Sequence, residues 1–166
     1  MASALLAVAT VVGLAQGPAA GIPELKALDQ WSGSWDSRSD IGGAERTGES
    51  KGEWVLGGRY LRQSWTIEPS EGMPEVRGES LMTYDPRARV YRTWGFDSEG
   101  GATSGEGRWD AGSRTMTWTG RDVGGEASIT TTARFPEDGR EEWTILVKDK
   151  AGATLVEMKG TNRRRP

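Results

Sequence analysis

The chain reads as an all-β protein: a ten-stranded antiparallel up-and-down barrel with a short N-terminal helix. Three observations predict it. From Trp31 almost to the C-terminus, ten short stretches rich in Trp, Val and Thr alternate with nine clusters of Gly, Pro, Asp and Ser. Each cluster supplies what a reversal needs, since Gly tolerates positive φ, Pro presets φ for the second turn position, and Asp or Ser bonds its own backbone. Several stretches alternate with a period of two, the spacing of a strand with one apolar face. A twisted sheet of this length curls and closes, because open edges invite pairing with other chains. Closure makes an interior, and the interior is where function is expected.

Taken in order, residues 1–15 form an uncharged apolar run with Gly13 and Ala15 placed as a cleavage site demands. The run has the length of a secretory signal peptide and is too short to span a bilayer, so a secreted or periplasmic location is expected, with no stable membrane insertion after its removal. Residues 16–22 read as a flexible N-terminus. Pro23 in a first turn, with Leu25 and Leu28 three apart, predicts one or two helical turns able to plug a barrel end. Trp31 and Trp35 follow as floor residues, with Gly33 between them.

The first strand runs to Asp40, the second from Ala44 to Leu56, and the third from Tyr60 to Ile67 with Leu61, Gln63, Trp65 and Ile67 on its apolar face. Asp85-Pro86-Arg87-Ala88 has the form of a type I turn between Val76–Tyr84 and Arg89–Phe96. In that fifth strand Val90, Arg92, Trp94 and Phe96 share a face and are expected to line the interior. Ala102–Trp109 and Arg114–Gly120 come next, with Met116, Trp118 and Gly120 opposing Thr115, Thr117 and Thr119. Ile129, Thr131, Ala133 and Phe135 mark the eighth strand; Trp143, Ile145 and Val147 mark the ninth. The tenth spans Ala153 to Gly160, so the barrel domain is 23–161 and residues 162–166 read as a solvated basic tail.

Composition favours a hollow barrel over a solid core. The chain has 166 residues, suited to one domain, and its aromatics are 8 Trp against 2 Phe and 3 Tyr. Hydrophobic residues make up only 35% and charged ones 27%, too few apolar groups for a thick core but enough for walls around a cavity. A net charge of −3 argues against a nucleic-acid partner. The absence of Cys excludes thiolate chemistry and disulfides, and the absence of His excludes a Ser-His-Asp triad and haem held through His. No metal or cofactor is implied.

Three motifs carry a resemblance: Trp54-Val55-Leu56-Gly57-Gly58-Arg59-Tyr60-Leu61, Thr83-Tyr84-Asp85-Pro86 leading to Tyr91-Arg92-Thr93-Trp94, and Gly107-Arg108-Trp109-Asp110. By them the chain resembles a bacterial domain-of-unknown-function family of calycin-like barrels, related in shape to lipocalins and fatty-acid-binding proteins. Gly33-Ser34-Trp35 is also similar to the Gly-x-Trp that opens the first lipocalin strand. The resemblance implies a barrel with a small-molecule cavity and no particular reaction. The Arg-x-Tyr pair that holds a fatty-acid carboxylate on a late strand has no counterpart in Leu155–Lys159.

The expected ligand is therefore a small apolar or amphipathic molecule. Trp65, Trp94, Trp118 and Trp143 would bury its apolar surface and Arg92 would orient a polar end. The bland alternatives are wall packing for the tryptophans and an ion pair, or the opposite facing, for Arg92. Asp85, Asp97, Glu99 and Asp110 are the carboxylates considered for acid-base work, and turn geometry already explains the aspartates. Two other functions stay open: a metal-free barrel enzyme of cyclase or isomerase type, and a barrel filled by side chains that serves as an interaction module. An interior of a few hundred Å³ would speak against the last.

Overall fold

The computed structural model describes residues 17–166, and the segment expected as a signal peptide lies outside them. Ten strands follow in sequence order: β1 (Gly33–Ile41), β2 (Ala44–Val55), β3 (Tyr60–Ile67), β4 (Val76–Asp85), β5 (Val90–Asp97), β6 (Ala102–Asp110), β7 (Thr115–Asp122), β8 (Ala127–Glu137), β9 (Arg140–Asp149) and β10 (Thr154–Arg164). Each pairs antiparallel with its neighbour, and β10 returns to β1 to close the barrel. The closing seam runs from Trp35 opposite Arg164 to Ile41 opposite Met158. Closure satisfies the backbone groups that two free edges would expose.

The reversals use the chemistry their residues offer. Asp85 accepts hydrogen bonds from the N–H groups of Arg87 and Ala88, Asp110 from Ser113, and Asp97 from Glu99 and Gly101. These bonds, from Ala88 above all for Asp85 and from Ser113 for Asp110, hold both carboxyls below the usual range. The three aspartates are thus turn-forming groups, as the sequence allowed.

A 3₁₀ helix, Pro23–Trp31, closes one end. It runs beyond the one or two turns expected, and its last residue, Trp31, packs edge-on against Phe135 with centroids 4.8 Å apart. Leu25 and Leu28 are fully buried. Tyr91 donates its hydroxyl to the carbonyl of Glu24 at 2.9 Å, and Trp54 donates its indole N–H to Asp29 at 2.9 Å. Burial pushes the Tyr91 phenol up to about 12, so it keeps the proton that this bond requires.

Both chain ends differ from expectation. Within the segment read as flexible, the Ala19 N–H donates to the Gly58 carbonyl at 2.8 Å, and Ala19 and Ile22 pack against the core. The basic residues are exposed but begin inside a strand: β10 continues to Arg164, whose guanidinium lies 4.8 Å from the centre of the Trp35 ring and donates to the Gln30 carbonyl. Arg165 bonds Asp36 and Glu49 on the outer wall. A strand long enough to match β1 and β2 carries the chain along the seam, where the side chains of Arg164 and Arg165 find partners. Truncating the plug through Leu28→Ala should cost about 2–5 kcal/mol of unfolding free energy, measured by chemical denaturation with tryptophan emission as the probe.

Candidate functional site

Alternation along each strand sends one parity inward, and cross-strand pairing makes that parity continuous around the barrel. One inward row steps from Trp35 to Ser50, Trp65, Gly78 and Asp97 across β1 to β5. Three inward tryptophans each face a glycine on the adjacent strand: Trp65 opposite Gly78, Trp118 opposite Gly107, and Trp143 opposite Gly160. The indoles lie flat over these glycines. A Cβ on Gly78 would stand 2.1 Å from Trp65 Cζ2, one on Gly107 2.5 Å from Trp118 Cε3, and one on Gly160 2.5 Å from Trp143 Cζ2. Side chains this large, laid along the wall, leave the middle open.

The space so enclosed is about 440 Å³, within the range of small-molecule sites. Above the helical plug its wall carries Trp65, Trp118 and Trp143, and toward the far rim it carries Ile67, Ile129 and Val147. Trp65, Trp143, Ile129, Ile145 and Val147 point inward yet are only half-buried, because solvent reaches them from within. Phe96, Val123 and Leu155, all exposed, stand at strand ends on the far rim.

At the plugged end the wall turns polar. Glu141 on β9, Asn162 on β10 and Ser37 on β1 are successive partners in the sheet and all line the cavity. Glu141 is 4% exposed. Its Oε1 accepts from the Trp31 indole at 2.8 Å, and its Oε2 accepts from the Asn162 amide at 2.6 Å. Asn162 in turn accepts from the Trp143 indole at 3.2 Å. Burial raises the Glu141 carboxyl to about 7, and the two hydrogen bonds only partly offset it. Ser50, also buried and also on the cavity wall, has a hydroxyl without a hydrogen-bond partner.

Of the residues expected to hold a ligand, Trp65, Trp118 and Trp143 line the cavity. Arg92 and Trp94 do not. On β5 the inward parity is Tyr91, Thr93 and Gly95, opposite Gly107, Gly105 and Thr103. Arg92 lies on the outer wall and pairs with Glu106 at 2.6 Å and Asp85 at 3.6 Å, while Trp94 sits outside beside Tyr60 with ring centres 6.5 Å apart. Of the same parity Phe96 still reaches the cavity rim and Val90 is buried, while Arg92 and Trp94 face out because the inner parity presents Tyr91 to the plug and small residues to the cavity. Trp54 and Trp109 belong to the core around the plug.

Glu141 and Asn162 were missed. The signal was available: Glu141 shares the parity of Trp143, Ile145 and Val147, and Asn162 that of Met158, so each is a polar group on an inward face. At the opposite rim Arg46, 7% exposed, spends its guanidinium on the carbonyls of Glu68 and Pro74 and ties down the β3–β4 loop. A larger trough, about 900 Å³, lies on the outer wall among Thr132, Arg134, Glu142, Thr144 and Lys159. Its charges and threonines are solvated, and Arg134 is paired with Glu142. The inner cavity, apolar with a few convergent polar groups, is the better candidate site.

Two outcomes test this geometry. Gly107→Ala should cost about 1–3 kcal/mol through overpacking against Trp118, with an altered tryptophan emission spectrum as the local readout. Glu141 binds its proton more tightly folded, near 7, than at its ordinary 4.5. Between those values the folded state keeps a proton that the unfolded chain has lost, so stability falls as pH rises through the window. Denaturant titrations from about pH 4 to pH 8 should show Glu141→Gln lacking a decline of up to roughly 3 kcal/mol that the parent shows.

No protein-family model matches the chain, and no curated protein matches it. Solved structures do. Rv2717c from M. tuberculosis superposes with a TM-score of 0.67 at 12% identity, covering 87% of this chain and 99% of that one. The S-type phycobiliprotein lyase CPES from Guillardia theta gives a TM-score of 0.62 at 14% identity, covering 88% of this chain and 94% of its own. At such identities the likeness is one of fold, and the fold is a closed, ten-stranded antiparallel barrel.

Proposed function

We propose that this barrel binds a small amphipathic molecule in its interior. The observation that carries the reading is the cavity of about 440 Å³ with tryptophan and aliphatic walls above a hydrogen-bonding floor. Apolar surface buried against Trp65, Trp118 and Trp143 would contribute about 25 cal/mol per Å² before ordering costs. Residues 1–15 complete the proposal: they direct export, and the mature binder works in a secreted or periplasmic setting.

A second reading rests on Glu141. A carboxyl near neutrality in a cavity can give or take a proton, as a cyclase or isomerase requires, and a barrel of this fold also serves a phycobiliprotein lyase. In that case Glu141→Gln would abolish turnover of a substrate it still binds.

Native mass spectrometry of protein purified from its own host should find a retained small molecule and a chain shortened by its leader. Titration with lipids, flavins, aromatic acids and aromatic amines should change the tryptophan emission, because four indoles border the space a ligand fills. A full-length chain would remove the export proposal. No adduct and no response across the panel would overturn the binding proposal.

A further inference from the structure

The geometry points to a ligand class: an amphipathic amine that enters head first, its protonated nitrogen on Glu141 and its apolar body against Trp65, Trp118 and Trp143. This rests on the interior-binding reading above and adds the identity of the head group.

Glu141 is the reason. A carboxylate offers about four lone-pair positions, and Trp31 and Asn162 take one on each oxygen. The remaining capacity belongs to a residue on the cavity wall. Both donors are neutral, and among the described residues no Lys or Arg pairs with this carboxylate: adjacent Arg140 goes to Glu142 and Glu137, and Arg164 to Gln30 and Trp35. The groups that bond Glu141, Trp31 from the helix and Asn162 from β10, carry no charge, and neither do Ser50 from β2, Trp118 from β7 and Ala133 from β8 on the cavity wall. The charged groups lining the same cavity are Glu49, which pairs with Arg165, Asp97, which is bonded into its turn, and the exposed Arg121. Asp29, the nearest acidic residue of the plug in sequence, is turned to Trp54. A buried anion with no cation is costly, so the free carboxyl holds its proton toward neutrality, and a ligand that brings a cation lets it ionise.

Ser50 is the independent second observation. It is nine-tenths buried on the cavity wall and, among the described residues, its hydroxyl has no hydrogen-bond partner, and a hydroxyl can accept a hydrogen bond from an ammonium group that has three to give. An acidic head group would set two like charges together at this floor. The buried cation near the far rim, Arg46, is already spent on backbone carbonyls.

The test is calorimetric titration with three probes of one skeleton: 2-(1-naphthyl)ethylamine, 2-(1-naphthyl)ethanol and 1-naphthylacetic acid. The amine should bind about tenfold or more tighter than the alcohol, as a charge-assisted bond predicts, and the acid should bind weakest. In Glu141→Gln the amine-to-alcohol ratio should fall to about one. A measurement that needs no variant accompanies it: near pH 7, where Glu141 is about half protonated, the parent should release roughly half a proton per site on binding the amine and none on binding the alcohol, seen by repeating the titration in buffers of different ionisation enthalpy. Equal affinities for amine and alcohol, or a preference that survives in Glu141→Gln, would overturn the head-group assignment while leaving interior binding intact. Failure of all three probes to bind, together with silence across the wider panel, would overturn both.

Discussion

The pairing of a large indole with a bare glycine across the strand is the constraint on which the interior depends. Trp65 over Gly78, Trp118 over Gly107 and Trp143 over Gly160 use the gap left by a missing side chain to lie along the wall. Had those positions carried side chains, the indoles would have been driven inward. Close packing is the ordinary state of a protein core, and a cavity persists only where something prevents collapse. Here each tryptophan is already packed on its outer face and has little to gain by moving to the centre.

The polar floor complements that wall. Glu141, Asn162, Trp31 and Trp143 form a chain of hydrogen bonds reaching from β9 through β10 to the plug helix. Such a network is expensive if any member is left unsatisfied, and a buried carboxylate without a cation contributes little to stability. Glu141 keeps its hydrogen bonds to Trp31 and Asn162 while its charge has no cation beside it among the described residues. The plug itself is held by groups at its beginning, middle and end: Glu24 with Tyr91, Asp29 with Trp54, and Trp31 with Glu141. The floor of the cavity and the lid of the core are therefore one structure.

Much of the barrel was legible because hairpin chemistry is local. Asp85-Pro86 and Asp110-Ala111-Gly112 announce their turns through groups that bond within a few residues, and the alternation of Leu61, Gln63, Trp65 and Ile67 assigns a face without reference to any other strand. The same alternation could have exposed Glu141, two residues before Trp143, as an inward carboxylate. Strand β5 was misread because both of its parities are mixed, and apolarity pointed to Val90, Arg92, Trp94 and Phe96 when the interior needed Tyr91, Thr93 and Gly95. The contacts of the C-terminal arginines were illegible for a different reason: nothing local in a run of charge shows which strand will lie beside it.

By itself the sequence determined how many times the chain reverses, where it does so, and that a period of two runs between the reversals. These depend on backbone sterics and on bonds spanning a few residues. Only the tertiary structure decided which parity of β5 faces inward, that the indoles find glycines across the strand, and that Trp31 meets Glu141 from 110 positions away. Register and closure create those neighbours, and no segment of the chain contains both members of such a pair.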